Sequence, residues 1–206
     1  MSQSIKFMHL KYRLIKSLAK EKGIIRPRDL NEYNIHREYL TRLCELGQLE
    51  KIGRGLYTLP NLEIDENLSL AQVSKSIPNS TISLLSALRF HNLTTQLPFE
   101  VWIAIPNKAH QPLLKEISIR VVRFSGEALS AGIEEHIIFG VKVPIYNPAK
   151  TIADCFKYRY KIGIDVALEA LRECWQNHYC TLDDLWHYSK ICRVNNVIKP
   201  YLESLI

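Results

Sequence analysis

The chain has 206 residues, 47% of them hydrophobic, enough for one ordinary domain and a small second one. No apolar run reaches the roughly eighteen residues of a membrane span, and the start Met1-Ser2-Gln3-Ser4-Ile5-Lys6 lacks a signal-peptide core, so a cytoplasmic protein without membrane contact is expected. Residues 1–60 carry the whole net charge of +6, with 12 Lys and Arg against 6 Asp and Glu, whereas residues 61–206 hold 15 of each sign. A basic module joined to a neutral one is the charge footprint of nucleic-acid binding.

Helical periodicity opens the chain. Phe7, Leu10, Leu14, Ile15 and Leu18 make one apolar face over residues 5–20, and Gly23 ends that helix. Ile24-Ile25-Arg26 reads as a short extended piece. Pro27 suits a first helical turn, which predicts a second, short helix from Arg28 to about Tyr33. Asn34-Ile35 makes a turn, and a third helix is expected from about His36 to Leu46, with Tyr39, Leu40, Leu43 and Cys44 toward the core and Gly47 as its cap. Leu49–Ile52, a Gly53-Arg54-Gly55 turn and Leu56–Pro60 then read as a β-hairpin with a guanidinium at its tip. Three helices followed by a basic hairpin are the parts of a winged helix-turn-helix.

That order assigns roles on double-stranded DNA. The third helix is sized for a major groove, so His36, Arg37 and Thr41 are candidates to reach base edges, Arg37 by a bidentate contact with guanine. Arg42 is expected on a phosphate, as are Arg26 and Arg28 near the second helix. Lys51 and Arg54 on the wing should reach phosphate or the adjacent minor groove. Glu38 and Glu45 on the same helix count against dense phosphate contact there.

An acidic stretch, residues 61–68, reads as a linker to a C-terminal domain over residues 69–206. There a helix is expected from about Ser69 to Ile77, and another, starting near Ser80 or Thr81, carries Leu84–His91. Strands are expected at 100–106, 117–124, 135–139 and 141–146, with Gly140 turning the last pair, and a short helix at 125–131. From Pro148 on the chain reads as helical. Asp165 is placed as the cap of one helix, Thr181 and Asp184 as a capping box of the next, and Val197, Tyr201 and Leu205 on a last one. The fold class is therefore α+β: a winged helix-turn-helix, then a mixed domain of about four strands and several helices.

Catalytic signatures are missing from this second part. It has no phosphate-binding glycine loop, no Asp-x-Asp, no Asp-x-Lys or Glu-x-Lys, and no Gly-x-Ser-x-Gly elbow, so no enzyme, no cofactor and no metal are expected. The five cysteines are odd in number and include no Cys-x-x-Cys pair. They are expected as reduced thiols filling the core. His91 with Asn92, and Asp154 near Lys150, are expected as polar anchors within the fold.

Several stretches resemble the bacterial AbiEi antitoxin and transcriptional-regulator family. They are Gly53-Arg54-Gly55-Leu56-Tyr57, Ser86–Gln96 followed by Pro98–Pro106, Arg123-Phe124-Ser125-Gly126, and Asn147–Asp154. The resemblance runs from about residue 10 to the end. It implies an antitoxin of a type IV toxin–antitoxin system used in phage defence. The winged helix would bind promoter repeats and repress the operon, and the C-terminal domain would counteract a nucleotidyltransferase toxin, with or without direct contact. The residues alone leave two other readings open: a plain regulator that senses a ligand through its second domain, and a DNA-processing enzyme delivered by the winged helix.

Overall fold

A computed structural model describes residues 3–60 and 67–204. The chain divides into two compact units, Met1–Ser76 with Ile137–Lys142, and Ile77–His136 with Val143–Ile206. The boundary after Ser76 differs from the expected linker at 61–68. Most of that stretch lies outside the described residues.

The first unit opens with α1 (Gln3–Lys22), longer at both ends than the periodicity predicts. Ile15, Leu18 and Ala19 are buried with Tyr12, but Phe7 and Leu10 stand 65% and 63% exposed, so the apolar face outruns its covering. Gly23, at φ +62°, ends the helix. A Cβ there would lie 1.6 Å from the Phe139 carbonyl oxygen, so only glycine fits. The expected second helix is a 3-10 helix, Pro27–Tyr33. Asn34 ends it in a left-handed conformation. Helix α2 (Glu38–Glu45) is shorter than expected: Arg37 takes the N-cap position and His36 precedes it. Leu40 and Leu43 are fully buried, while Tyr39 and Cys44 are half-buried. At its end the Gly47 N–H bonds the Cys44 carbonyl and the Gln48 N–H bonds that of Leu43, closing the last turn.

Strands β1 (Glu50–Gly53) and β2 (Leu56–Thr58) form the wing, antiparallel, with an irregularity between Lys51 and Gly53. Ile25 adds to the wing by exchanging two backbone bonds with Tyr57, at 2.9 and 3.0 Å. Helix α3 (Leu68–Ser76) belongs to this unit, not to the C-terminal part where the sequence places it. Its Gln72 Nε2 donates to the Ile52 carbonyl at 3.0 Å, which braces the wing from behind.

The second unit is a mixed α+β layer. Its strands are β3 (Thr81–Ile82), β4 (Val101–Pro106), β5 (Ile119–Phe124), β6 (Ile133–Ile138) and β7 (Val141–Tyr146), in the order β5-β4-β3-β7-β6, with the end of β6 and the start of β7, Ile137–Lys142, counted in the first unit. Five strands stand where about four are expected. The extra one is β3, two residues that the sequence assigns to the start of a helix. It pairs antiparallel with β4, Ile82 opposite Ile103, and parallel with β7, Ile82 opposite Ile145. Strand β4 reads Val-Trp-Ile-Ala-Ile without alternation because both its faces are covered, and all five are buried.

Helices α4 (Leu84–Phe90), α5 (Glu127–Ser130) and α6 (Pro148–Lys157) flank the sheet. Asn147 caps α6 by accepting from the Lys150 N–H at 2.9 Å. A short α7 (Arg159–Ile162) follows, within the stretch expected to be helical from Pro148 on. The next helix, α8 (Ile164–Gln176), is capped by Gly163, and Asp165 lies in its first turn instead of at the cap. Thr181 and Asp184 form the expected capping box of α9 (Leu182–Ile191), with Thr181 Oγ1 accepting the Asp184 N–H at 3.1 Å. In α10 (Asn195–Glu203) Val197 and Tyr201 pack against the core, while Leu205 lies outside the described residues.

Cysteine usage departs from expectation. Cys174 and Cys180 are joined as a disulfide, because the chain turns back after α8 and brings their Cα atoms to 6.2 Å. Cys44, Cys155 and Cys192 are free thiols, and Cys155 and Cys192 sit in the core as fillers. Among the described residues no helix is long and apolar enough to cross a membrane.

Two groups anchor the core of this unit. His91 Nε2 donates to the Tyr146 carbonyl at 2.8 Å. Lys150 and Asp154, both fully buried, pair at 2.5 Å one turn apart on α6. Cys192 donates its thiol to the second carboxylate oxygen at 3.2 Å. The Lys150 ammonium also lies 4.1 Å from the Tyr146 ring centre.

Candidate nucleic-acid interface

The turn between the 3-10 helix and α2 gathers three of the residues singled out from sequence. Arg28, His36 and Arg37 line one open groove of ≈ 630 Å³, together with Pro27, Asn31, Asn34 and Ile35. Ile35, buried in the core of this unit, fixes the turn and leaves the flanking polar residues outward. Asn31 and Asn34 are the members that charge counting passes over. Asn34 could have been suspected, since asparagine is among the few residues that take a left-handed turn conformation readily.

His36 has a local task. Its Nδ1 accepts the Glu38 N–H at 3.3 Å, satisfying one of the open donors at the start of α2. Arg37 has no side-chain capping bond and stands exposed at the mouth of the groove. Thr41, one turn further on the outer face of α2, is exposed as well. With eight residues α2 is about 12 Å long, close to the width of a DNA major groove.

Two expected contacts are drawn into the protein itself. Arg42 forms a hydrogen-bonded ion pair with Glu38, one turn back on the same helix, which raises its pKa above the ordinary arginine value. A phosphate must compete with that carboxylate for it. Arg26 is half-buried and turns inward: its guanidinium donates to the Lys75 carbonyl on α3, and its own N–H donates to Asp29 Oδ2 at 2.8 Å. Lys75 Nζ closes the cluster at 3.5 Å from the same oxygen. Arg26 therefore ties the 3-10 helix to α3 and does not join the outer surface. Lys51 and Arg54 stand exposed on the wing, as anticipated.

The surrounding basic residues are not all available either. Lys16 Nζ donates to Gln48 Oε1 at 3.0 Å and so pins the turn after α2 to α1. Lys11 lies 4.9 Å over the Tyr39 ring.

Residues 12–60 match the family described as "Transcriptional regulator, AbiEi antitoxin". The AbiEi resemblance thus holds over the winged helix, and the match supports a role as antitoxin or transcriptional regulator. No curated protein matches the chain. Among solved structures, the crystal structure of the RV2827C protein from Mycobacterium tuberculosis is similar over 85% of this chain and 69% of that one, with a TM-score of 0.58 and 15% identity. At that identity the likeness concerns the fold alone.

Proposed function

We propose that the AbiEi-type segment binds double-stranded DNA at repeats in its own promoter and represses the operon, while the C-terminal unit counteracts a nucleotidyltransferase toxin encoded beside it. One observation carries this reading. Arg28, His36 and Arg37 share a groove at the entrance of an outward-facing helix, inside the segment that matches the regulator family and within the first sixty residues, which hold the whole charge excess. Arg37 is the base reader, assisted by Thr41 and His36. Arg28, Lys51 and Arg54 hold phosphates, as does Arg42 once it leaves Glu38. Arg26 is a brace. The protein works as a regulator by binding, with no reaction of its own.

Binding to the upstream promoter DNA, titrated at several salt concentrations, tests the first half. The affinity should fall steeply with salt, and Arg54→Ala should reduce the slope of log K against log salt by about 0.9. An unchanged slope removes the wing from the contact. Co-expression with the neighbouring gene product tests the second half: growth arrest by that product and rescue by this chain support it, and failure to rescue refutes it.

A further inference from the structure

The second unit holds a charged cleft that the proposed function does not use. It measures ≈ 420 Å³ and opens between the end of β5, the turn into α5, and the C-terminal ends of α6 and α9. Four cations line it: Arg123, Lys157, Lys190 and Arg193. Glu127 is the sole carboxylate among the lining residues. This concentration arises in a segment whose charges otherwise cancel, 15 against 15.

The four cations are not equivalent. Arg123 is consumed by the fold, since its guanidinium donates to the Asn107 and Ala109 carbonyls at 2.9 and 2.7 Å. Lys157 leans over the Phe124 ring at 5.3 Å, a contact that leaves its ammonium hydrogens for another partner. Lys190 and Arg193 are exposed, and among the described residues neither they nor Lys157 pair with a carboxylate. Three like charges brought together outnumber the single lining carboxylate of Glu127 and the Asp154 charge that Lys157 senses, and they repel one another. Gly126, also in the lining, presents bare backbone to open space, for a Cβ there would meet nothing within 4 Å. Such a site suits a small, highly charged anion with several oxygens, not an apolar ligand.

We propose that this cleft binds the phosphate chain of a small phosphorylated ligand, of the size and charge of a nucleoside di- or triphosphate, held by Lys157, Lys190 and Arg193. The C-terminal unit is then a ligand-binding module in addition to any part it takes in toxin control. The site is independent of the DNA-facing groove, which lies wholly in the other unit.

Calorimetric titration of the full chain with inorganic triphosphate, a nucleoside triphosphate, the bare nucleoside and a short random duplex tests this. Both polyphosphates should bind saturably below millimolar concentration, more weakly as salt rises, and the nucleoside should not bind. Lys190→Gln and Arg193→Gln should each weaken binding about tenfold, while Lys115→Gln, outside the cleft, should leave it unchanged. The melting temperature of the free Lys190→Gln and Arg193→Gln chains should hold or rise, because each removes repulsion. A fall would mark the cations as helix-end stabilisers and overturn the assignment. In the unaltered chain, the amide resonances of Ser125, Gly126 and Glu127 should shift with triphosphate. Absence of saturable polyphosphate binding, binding unaffected by both substitutions, or binding of duplex but not of polyphosphate would each overturn the proposal.

Discussion

Replacing Lys150 by methionine removes the counter-ion of a fully buried carboxylate. In the native chain burial raises the Asp154 pKa above its ordinary value, and the Lys150 charge opposes that rise. Without Lys150 the carboxyl keeps the weak Cys192 thiol as hydrogen-bond partner and only the more distant Lys157 charge. It must then hold a proton at neutral pH. Protonating a carboxyl at pH 7 against an ordinary pKa near 3.9 costs about 1.4 kcal/mol for each unit of the gap, about 4 kcal/mol in all. This agrees with the ~3–5 kcal/mol seen when one partner of a buried pair is removed. The sign with pH follows: the folded variant keeps a proton that the unfolded chain has released, so its stability falls as pH rises from 5 to 7, by about 1.4 kcal/mol per unit. Urea unfolding followed by tryptophan fluorescence reads the relevant unit, because Trp102, Trp175 and Trp186 all lie in it. Lys150→Met/Asp154→Leu, which removes both charges, should recover most of the loss. A loss below about 1 kcal/mol at pH 7, with no change of pH slope, would refute the reasoning.

Other expectations follow from single contacts. Arg26→Ala should lower stability by about 1–3 kcal/mol, since it strands the Lys75 carbonyl and frees the 3-10 helix, and should leave the salt slope of DNA binding unchanged. A lower slope at unaltered stability would put Arg26 on the DNA after all. His91 is half-buried beside His136 and Glu134, and its partial burial lowers its pKa below 6.5. As pH falls through 6.5 the unfolded chain takes up the proton first. The contribution of His91 is thus complete above 6.5 and lost as pH drops toward its folded value. His91→Gln should flatten the stability profile over that window, and an identical profile would contradict the burial argument.

The parts of the winged helix were legible because each rests on a local signal: Pro27 opening a helix, Gly23 and Gly47 ending two others, and glycines flanking Arg54. What escaped depends on where distant parts of the chain meet. Charge counting includes Arg26 with its neighbours, but cannot show that its guanidinium turns toward Lys75. Phe7 and Leu10 continue the apolar period of α1 beyond the point where anything covers it. Strand β3 is two residues long and offers no alternation to read; its place comes from pairing with β4 and β7. Cys174 and Cys180 lack a motif spacing and meet only because α8 ends between them. The basic cleft is the extreme case. Its residues span 123 to 193 in a segment of zero net charge, so neither composition nor motif announces it.

The central claim is that the groove at the start of α2 reads DNA sequence. Its most direct test is competitive binding of the native chain and Arg37→Ala to the promoter repeat and to a shuffled duplex of equal length, at one salt concentration. The account predicts a loss of about 1–3 kcal/mol on the promoter, little change on the shuffled duplex, and relaxed preference at one base position. Equal loss on both duplexes would show that Arg37 holds a phosphate and would contradict its role as the base reader.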